Sequence, residues 1–327
     1  MKKSKLLAVV LAVVLMFTGC MIERIPMKVT SDGHISMTVS VYFKKDTCDK
    51  ILAKIREKGD EFSIAIADSF AKDMKYTVIE NTEFYEITES KKYTYKEFMK
   101  EFNNEKEGTS AYVTKETFYL CGADPASQVS DYSTKDMMDN KEMESYMKAY
   151  GIDEAVLEEM KDITVIYSVE FDKDIVKTNG EVSKGNPKQV FYTLTGDQLN
   201  KKTVIFATTN TKDTEASIKA TIKASNTIAT SKVKKLKVNK SKKKAKKTSV
   251  TVKIKKVTGA KKYKIQYATN SKFKKAKSKT IKKTSCKIKN LKKGKKYYFR
   301  VYAIKQNFIG KEVVSKASKK KSVKIKK

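Results

Sequence analysis

Few groups in this 327-residue chain are placed to make or break bonds. The only histidine, His34, directly follows an Asp-Gly pair, where a turn residue is expected rather than a general base. Asp136, Asp139 and Glu142 recur at i, i+3 spacing, which would gather carboxylates for a cation, although a solvated helix face gives the same pattern. Met143 and Met147, four apart, read as core rather than as a ligand groove. No nucleophile elbow, phosphate loop or zinc spacing occurs. The chain is therefore expected to be no enzyme, with no catalytic residues, no metal site and no cofactor.

Binding chemistry is better supplied. In KKYKIQYA the residues Lys262, Lys264 and Gln266 alternate with apolar ones, and in KKYYFRVYA so do Tyr298, Arg300 and Tyr302. Basic side chains interleaved with tyrosines on a strand face make a platform for stacking and for charge-assisted hydrogen bonds to a polyanion or an acidic sugar. Lysines on strand faces and edges also serve solubility. The charge here exceeds the net value of about 2 to 8 that solubility needs in a small domain.

That charge is concentrated in one place. The chain holds 71 Lys and Arg against 37 Asp and Glu, a net +34. Ser231–Lys327 alone carries 39 bases and a single acid, Glu312, for +38, while the remainder is −4. Such asymmetry implies two segments with different jobs and an anionic partner for the second. Nucleic acid is the usual partner of so basic a module, but the N-terminus argues against it. MKKSKLLAVVLAVVLMFTGC opens with Lys2, Lys3 and Lys5 and continues into an apolar run, the signature of export. From Leu6 to Gly19 that run is 14 residues, short of the roughly 20 that a spanning helix needs. FTGC resembles the lipobox of bacterial lipoproteins, with Phe17 where Leu is usual. The resemblance implies that Cys20 is lipidated and becomes the first residue of the mature chain. Two or three acyl chains, at about 0.8 kcal/mol per buried CH₂, would anchor it stably to the outer face of the cytoplasmic membrane. An exported basic module meets anionic wall polymers and anionic lipid headgroups first, each basic residue near such a lipid surface contributing about 1 kcal/mol.

The elements that position these groups fall into two folds. After Cys20, Val29 precedes Ser31, Asp32, Gly33 and His34, and Ile35, Met37, Val39 and Val41 alternate beyond them, which predicts a β-hairpin. A helix is expected over Asp46–Gly59, with Ile51, Leu52 and Ile55 on one face, and a second over Asp60–Met74. Strands follow near Lys75–Ile79 and Glu83–Ile87, then a short helix opened by a Thr94/Glu97 capping box. Ser110–Leu120 reads as one strand, Ser133–Lys161 as helix broken at Gly151, and Ile163–Phe171, Gln189–Leu194 and Val204–Ala207 as strands, an α+β pattern. Cys48 and Cys121 could pair; Cys286 reads as a small buried hydrophobe. The hairpin after Cys20, the helical middle, and then VEFDKDIVKTNGEVSKGNPKQVFYTLTGDQLNKKTVIFATT resemble the LppM-like domain of bacterial lipoproteins, with Thr178–Gly180 as its turn. A tryptophan often seen after that turn is absent, Phe191 and Tyr192 standing in that region. The resemblance implies a surface lipoprotein and, as an alternative function, lipid or small-ligand binding by the α+β domain.

In the basic third, Val250, Val252 and Ile254, then Tyr263, Ile265 and Tyr267, then Ile288 and Leu291, then Val323 and Ile325 alternate with polar residues, four short strands of a sandwich rather than a solvated tail. NLKKGKKYYFRVYA resembles the approach to strand F of fibronectin type III domains, with Leu291, Gly294 and Tyr297 in the signature places and Phe299, Val301 and Ala303 continuing inward. The resemblance implies that Tyr297 bonds back to main chain. Ile254 replaces the usual strand B tryptophan, and no Arg-Gly-Asp tripeptide lies near Asn307–Gly310. The expected organisation is a lipoprotein signal peptide over 1–19, an α+β domain over 20–208, a Ser/Thr/Lys-rich linker over 209–230, and an all-β fibronectin type III sandwich over 231–327. The expected role is binding or scaffolding at the cell surface.

Overall fold

A computed structural model of the chain describes residues 21–58, 61, 64–65, 68, 75–104, 108–122, 164–195, 198, 203–239 and 247–326. Cys20 and the signal segment, all but four residues of the helix expected over Asp60–Met74, and the acidic stretch with Asp136, Asp139, Glu142, Met143 and Met147 lie outside the described residues. The chain divides into two compact units, Met1–Glu215 and Ala216–Lys327.

The N-terminal unit is α+β. Its first hairpin joins β1 (Met21–Val29) to β2 (His34–Lys44) in the register Met27↔Met37 and Val29↔Ile35. Asp-Gly sits at the turn because Gly33 must adopt φ 94°, and the backbone N–H of Thr30 closes it on the His34 carbonyl at 3.0 Å. Helix α1 (Lys45–Lys58) then packs on β2 and β4 (Thr82–Thr94), burying Leu52 and Ile55. β3 (Lys75–Ile79) pairs with β4, which leads into α2 (Tyr95–Glu101). The capping box is complete: the Glu97 amide donates to Thr94 Oγ1 at 3.2 Å, and the Thr94 amide donates to Glu97 Oε2 at 2.8 Å.

The segment read as one strand over Ser110–Leu120 is a hairpin, β5 (Ser110–Val113) and β6 (Thr117–Cys121). The buried run TFYLC masks the turn, since continuous burial leaves no alternation to reset. β7 (Thr164–Phe171), β8 (Lys177–Thr178), β9 (Glu181–Ser183), β10 (Asn186–Thr195) and β11 (Val204–Thr208) complete two sheets. The larger has the order β3-β4-β2-β1-β7-β10-β9, with β1 and β7 parallel, and the smaller β5-β6-β11-β8. Phe98 of α2 joins them, 5.8 Å from Tyr93 of β4 and 5.6 Å from Phe118 of β6, ring centroid to centroid. No disulfide joins Cys48 and Cys121: both are thiols.

Tyrosines in this unit are expected to make it alkali-sensitive. Burial is the first cause that pushes the phenols of Tyr85 and Tyr95 up to about 12, and it raises those of Tyr119 and Tyr192 as well. A phenol raised in the folded state contributes stability that is complete below the unfolded value near 10 and is lost as pH climbs through the folded one. The expected outcome is cooperative loss of circular dichroism from this unit above about pH 10, with tyrosinate absorbance rising together with unfolding. Full ionisation near pH 10 with the fold intact would contradict the burial argument.

The segment read as a Ser/Thr/Lys-rich linker, residues 209–230, contains a helix. Helix α3 (Glu215–Ser225) occupies its centre, with Ile218 and Ile222 buried. Thr, Ser and Lys gave the segment a linker composition, but the two isoleucines four apart form a helical stripe.

The C-terminal unit is a sandwich of β12 (Val233–Val238), β13 (Lys247–Ile254), β14 (Lys262–Ala268), β15 (Lys277–Ile281), β16 (Ser285–Lys292), β17 (Lys296–Gln306), β18 (Glu312–Val314) and β19 (Lys321–Lys324). One sheet has the order β12-β13-β16; the other runs β15-β14-β17-β18, with β19 also on β17. Between them Val250, Val252, Ile254, Tyr263, Ile265, Cys286, Ile288, Leu291, Phe299, Val301, Ala303 and Ile325 form one buried cluster. The period-two pattern thus places apolar side chains inward and leaves the lysines outside.

Candidate functional site: the outer face of the C-terminal sheet

β14 and β17 pair antiparallel with Lys264 opposite Tyr302, Gln266 opposite Arg300 and Ala268 opposite Tyr298. Because Tyr263, Ile265, Phe299 and Val301 point into the core, the intervening residues all share the outer face. Lys262, Lys264, Tyr298, Arg300 and Tyr302 are therefore brought onto one surface, each partly exposed. A concavity of about 430 Å³ lies over it, lined by Lys262, Lys264, Gln266, Tyr302 and, from β18, Glu312.

Arg300 is held in place by three groups. Its Nε donates to Gln266 Oε1 at 2.8 Å, and its guanidinium lies 4.3 Å from the ring centroid of Phe273 and 5.5 Å from that of Tyr302. The Tyr302 hydroxyl donates to the same Gln266 oxygen at 3.1 Å. Planar stacking suits a guanidinium and leaves its other N–H groups for a ligand. Phe273 was not anticipated from the sequence. It comes from the β14–β15 loop, where its φ of 55° is left-handed, and the Asn270 side-chain amide donates to the Lys274 carbonyl at 2.8 Å across that loop. Lys262 bonds to Glu312, so the single acid of the basic third neutralises one of the face's lysines.

Beneath the face, Tyr297 is buried and its hydroxyl accepts from the Lys292 backbone N–H at 3.0 Å. Gly294 takes φ 79° in the β16–β17 turn, Asn290 takes φ 62° near the end of β16 where its register against β13 shifts, and Leu291 sits in the core. These residues fix where β17 starts and hence which of its side chains face outward.

No helix among the described residues is long and apolar enough to cross a membrane. Among the same residues no group of three or more His, Cys, Asp or Glu is gathered for a metal ion.

Comparison with known proteins agrees with this architecture in its C-terminal part. The family model of the fibronectin type III domain matches residues 231–316. No curated protein matches the chain. Among solved structures, a Fn3-like protein from Clostridium thermocellum is 20% identical over 31% of this chain and 95% of its own, with a TM-score of 0.24. The fn3 domain of human collagen alpha-1(XX) is 12% identical over 32% of this chain and 89% of its own, at 0.24. The LppM folded domain from Mycobacterium tuberculosis is a structural neighbour over 58% of this chain and 90% of its own, 16% identical at 0.28. The chain thus pairs an α+β N-terminal unit with a C-terminal fibronectin type III domain.

Proposed function

We propose that the chain is an exported lipoprotein, anchored through Cys20 to the outer face of the cytoplasmic membrane, that acts by non-enzymatic binding or scaffolding at the bacterial cell envelope. Its basic fibronectin type III domain contacts anionic wall polymers or lipid headgroups. The observation that carries this reading is the separation of charge, +38 over Ser231–Lys327 against −4 elsewhere, in a domain whose lysines stand outside a packed core. Nothing in the fold demands that excess. The domain organisation proposed is a signal peptide over 1–19, an α+β domain over 20–208, a connecting segment over 209–230 that contains α3, and the sandwich from 231.

The test is binding of the full chain to purified cell wall, to anionic vesicles and to a neutral glycan at rising salt. Retention on an anionic surface at about 0.05 M salt and release by about 1 M, where the Debye length falls to about 3 Å, is the expected result. Absence of salt-sensitive binding to both anionic surfaces would sink the proposal. Replacing Tyr298 and Arg300 with alanine should weaken binding more than replacing two edge lysines such as Lys279 and Lys287; equal losses would mean diffuse charge rather than the β14/β17 face. Cys20→Ala should move the protein from the membrane fraction to the soluble one.

A further inference from the structure

A second feature of the basic unit lies at the end of the sandwich, where β14 finishes, β15 begins and β16 turns into β17. A cleft of about 710 Å³ opens there, lined by Lys275, Lys277, Lys289, Lys292, Lys295 and Lys296. The six lysines come from two separate stretches of chain: Lys275 and Lys277 from the β14–β15 loop and the start of β15, and Lys289, Lys292, Lys295 and Lys296 from the end of β16 through the turn into β17. We propose that this cleft binds phosphate groups of a linear phosphodiester or polyphosphate chain. The proposal rests on the reading that the domain meets polyanions, and it assigns both the place and the chemistry.

Four observations support it. First, no acid lines the cleft. The one carboxylate of the C-terminal unit, Glu312, is bound to Lys262 at the start of β14, whereas the cleft touches Tyr267 and Ala268 at its end. At about 3.3 Å per residue that separation is about 20 Å, beyond the screening distance of about 8 to 10 Å at ordinary ionic strength. No side-chain carboxylate of this unit thus offsets the charge of the cleft.

Second, the lining of the cleft includes left-handed backbone. Lys275 takes φ 51°, a left-handed value that costs a lysine and recurs where a side chain must be aimed, while Asn290 takes φ 62°, which asparagine adopts readily. Lys275 is fixed by the turns around it, with the Ala276 N–H on the Phe273 carbonyl at 3.3 Å and the Lys274 N–H on Asn270 Oδ1 at 2.9 Å.

Third, the ligating set is all lysine. An ammonium is a compact point charge with no planar fork, so it selects charge density and spacing rather than the flat bidentate geometry of a carboxylate. A phosphate chain offers one anionic group per repeat along an extended line, which suits six ammoniums spread along a cleft. Fourth, the cleft continues onto the outer face: Lys296 lies 5.4 Å from the ring centroid of Tyr298. A chain leaving the cleft meets an aromatic surface next.

The experiment uses the full chain and a short linear inorganic polyphosphate, with poly-glutamate of equal charge and phosphatidylglycerol vesicles as further arms. The triple variant Lys289→Gln, Lys292→Gln, Lys295→Gln removes three cleft charges at exposed positions. A control triple, Lys253→Gln, Lys282→Gln, Lys316→Gln, removes three exposed charges elsewhere. The cleft variant should lose about tenfold or more in polyphosphate affinity, and its log-affinity against log-salt slope should flatten by about 2, from roughly 0.7 per lost phosphate contact on a single chain. The control should lose about threefold or less, from general field alone. Both variants should melt with the unaltered protein. Equal losses in the two triples overturn the cleft, equal binding of poly-glutamate overturns the choice of phosphate, and a cleft-specific loss seen only on vesicles overturns a polymer in favour of headgroups. Wall binding with no cleft effect would leave the envelope reading standing while removing the cleft. Cleft-dependent polyphosphate binding with no wall or vesicle binding would do the reverse.

Discussion

Replacing Phe299 with alanine should destabilise the C-terminal sandwich by about 3 to 5 kcal/mol, the range for removing a fully buried aromatic ring without collapse of its site. Phe299 is 0% exposed, stands in the middle of β17, and stacks on Tyr267 of β14 with ring centroids 6.0 Å apart. Collapse is resisted because β17 is hydrogen-bonded to β14 on one side and to β19 on the other, with Phe299 opposite Tyr267 and Lys321. Against a typical total of about 5 to 15 kcal/mol, the loss is a large fraction of all the stability the domain has. The denaturant midpoint of the C-terminal transition reports it, and Phe299→Leu should cost well under half as much. A loss below about 1 kcal/mol for alanine would mean that the ring is not the packing centre described here. The functional consequence is direct. Tyr298 and Arg300 flank Phe299 in sequence and face outward only because Phe299 faces inward.

How far the fold was legible depends on where each segment buries its side chains. β13, β14, β16 and β17 could be read from alternation, because their apolar residues enter the core largely at period two, and β19 from the partly buried Val323 and the buried Ile325 just beyond it. β12 and β15 could not: VKKLKV buries Val233 alone and KSKTI leaves four of its five residues exposed, as lysine-guarded strands at a sheet edge do. α3 was hidden by composition, its stripe consisting of only Ile218 and Ile222. The parallel pairing of β1 with β7 joins segments about 140 residues apart, and local pattern carries no register over that distance.

The site divides in the same way. Lys262, Lys264, Tyr298, Arg300 and Tyr302 could be placed on a common face by parity, once their strands were taken as neighbours. What surrounds Arg300 could not. Phe273 reaches it from a loop whose left-handed residues are a phenylalanine and a lysine, Phe273 and Lys275, rather than the glycine that would have signalled the turn. The basic cleft was likewise invisible, since its lysines look like any others until two chain segments converge.

In the N-terminal unit the largest effect is expected at Gly180, the last residue of the Thr-Asn-Gly turn. There the chain passes from β8, which pairs with β11 of the smaller sheet, to β9, which pairs with β10 of the larger. Asn179 stands in for a strand residue: its side-chain amide donates to the Val204 carbonyl at 2.7 Å, and its Oδ1 accepts from the Phe206 N–H at 2.8 Å. Thr178 Oγ1 donates to the Phe206 carbonyl at 2.7 Å and accepts the Gly180 N–H at 3.0 Å. With the turn clamped from both sides, a methyl group on Gly180 would lie 2.5 Å from Tyr192 Cε1 and 2.6 Å from the Phe191 carbonyl oxygen. Neither can retreat easily. The carbonyl belongs to β10, and the Tyr192 ring is buried with its hydroxyl donating to the Phe206 carbonyl at 2.7 Å. Gly180→Ala should therefore cost about 3 kcal/mol, the upper range for overpacking a filled site, read as a lower denaturant midpoint of the N-terminal unit with the C-terminal transition unchanged. Tyr192→Leu in the same chain should recover only part of the loss, because the Phe191 carbonyl remains in the way, and the double-mutant cycle should show a positive coupling between the two positions. A neutral Gly180→Ala would mean that the turn yields without disturbing either sheet, and that the glycine is no spacer between them.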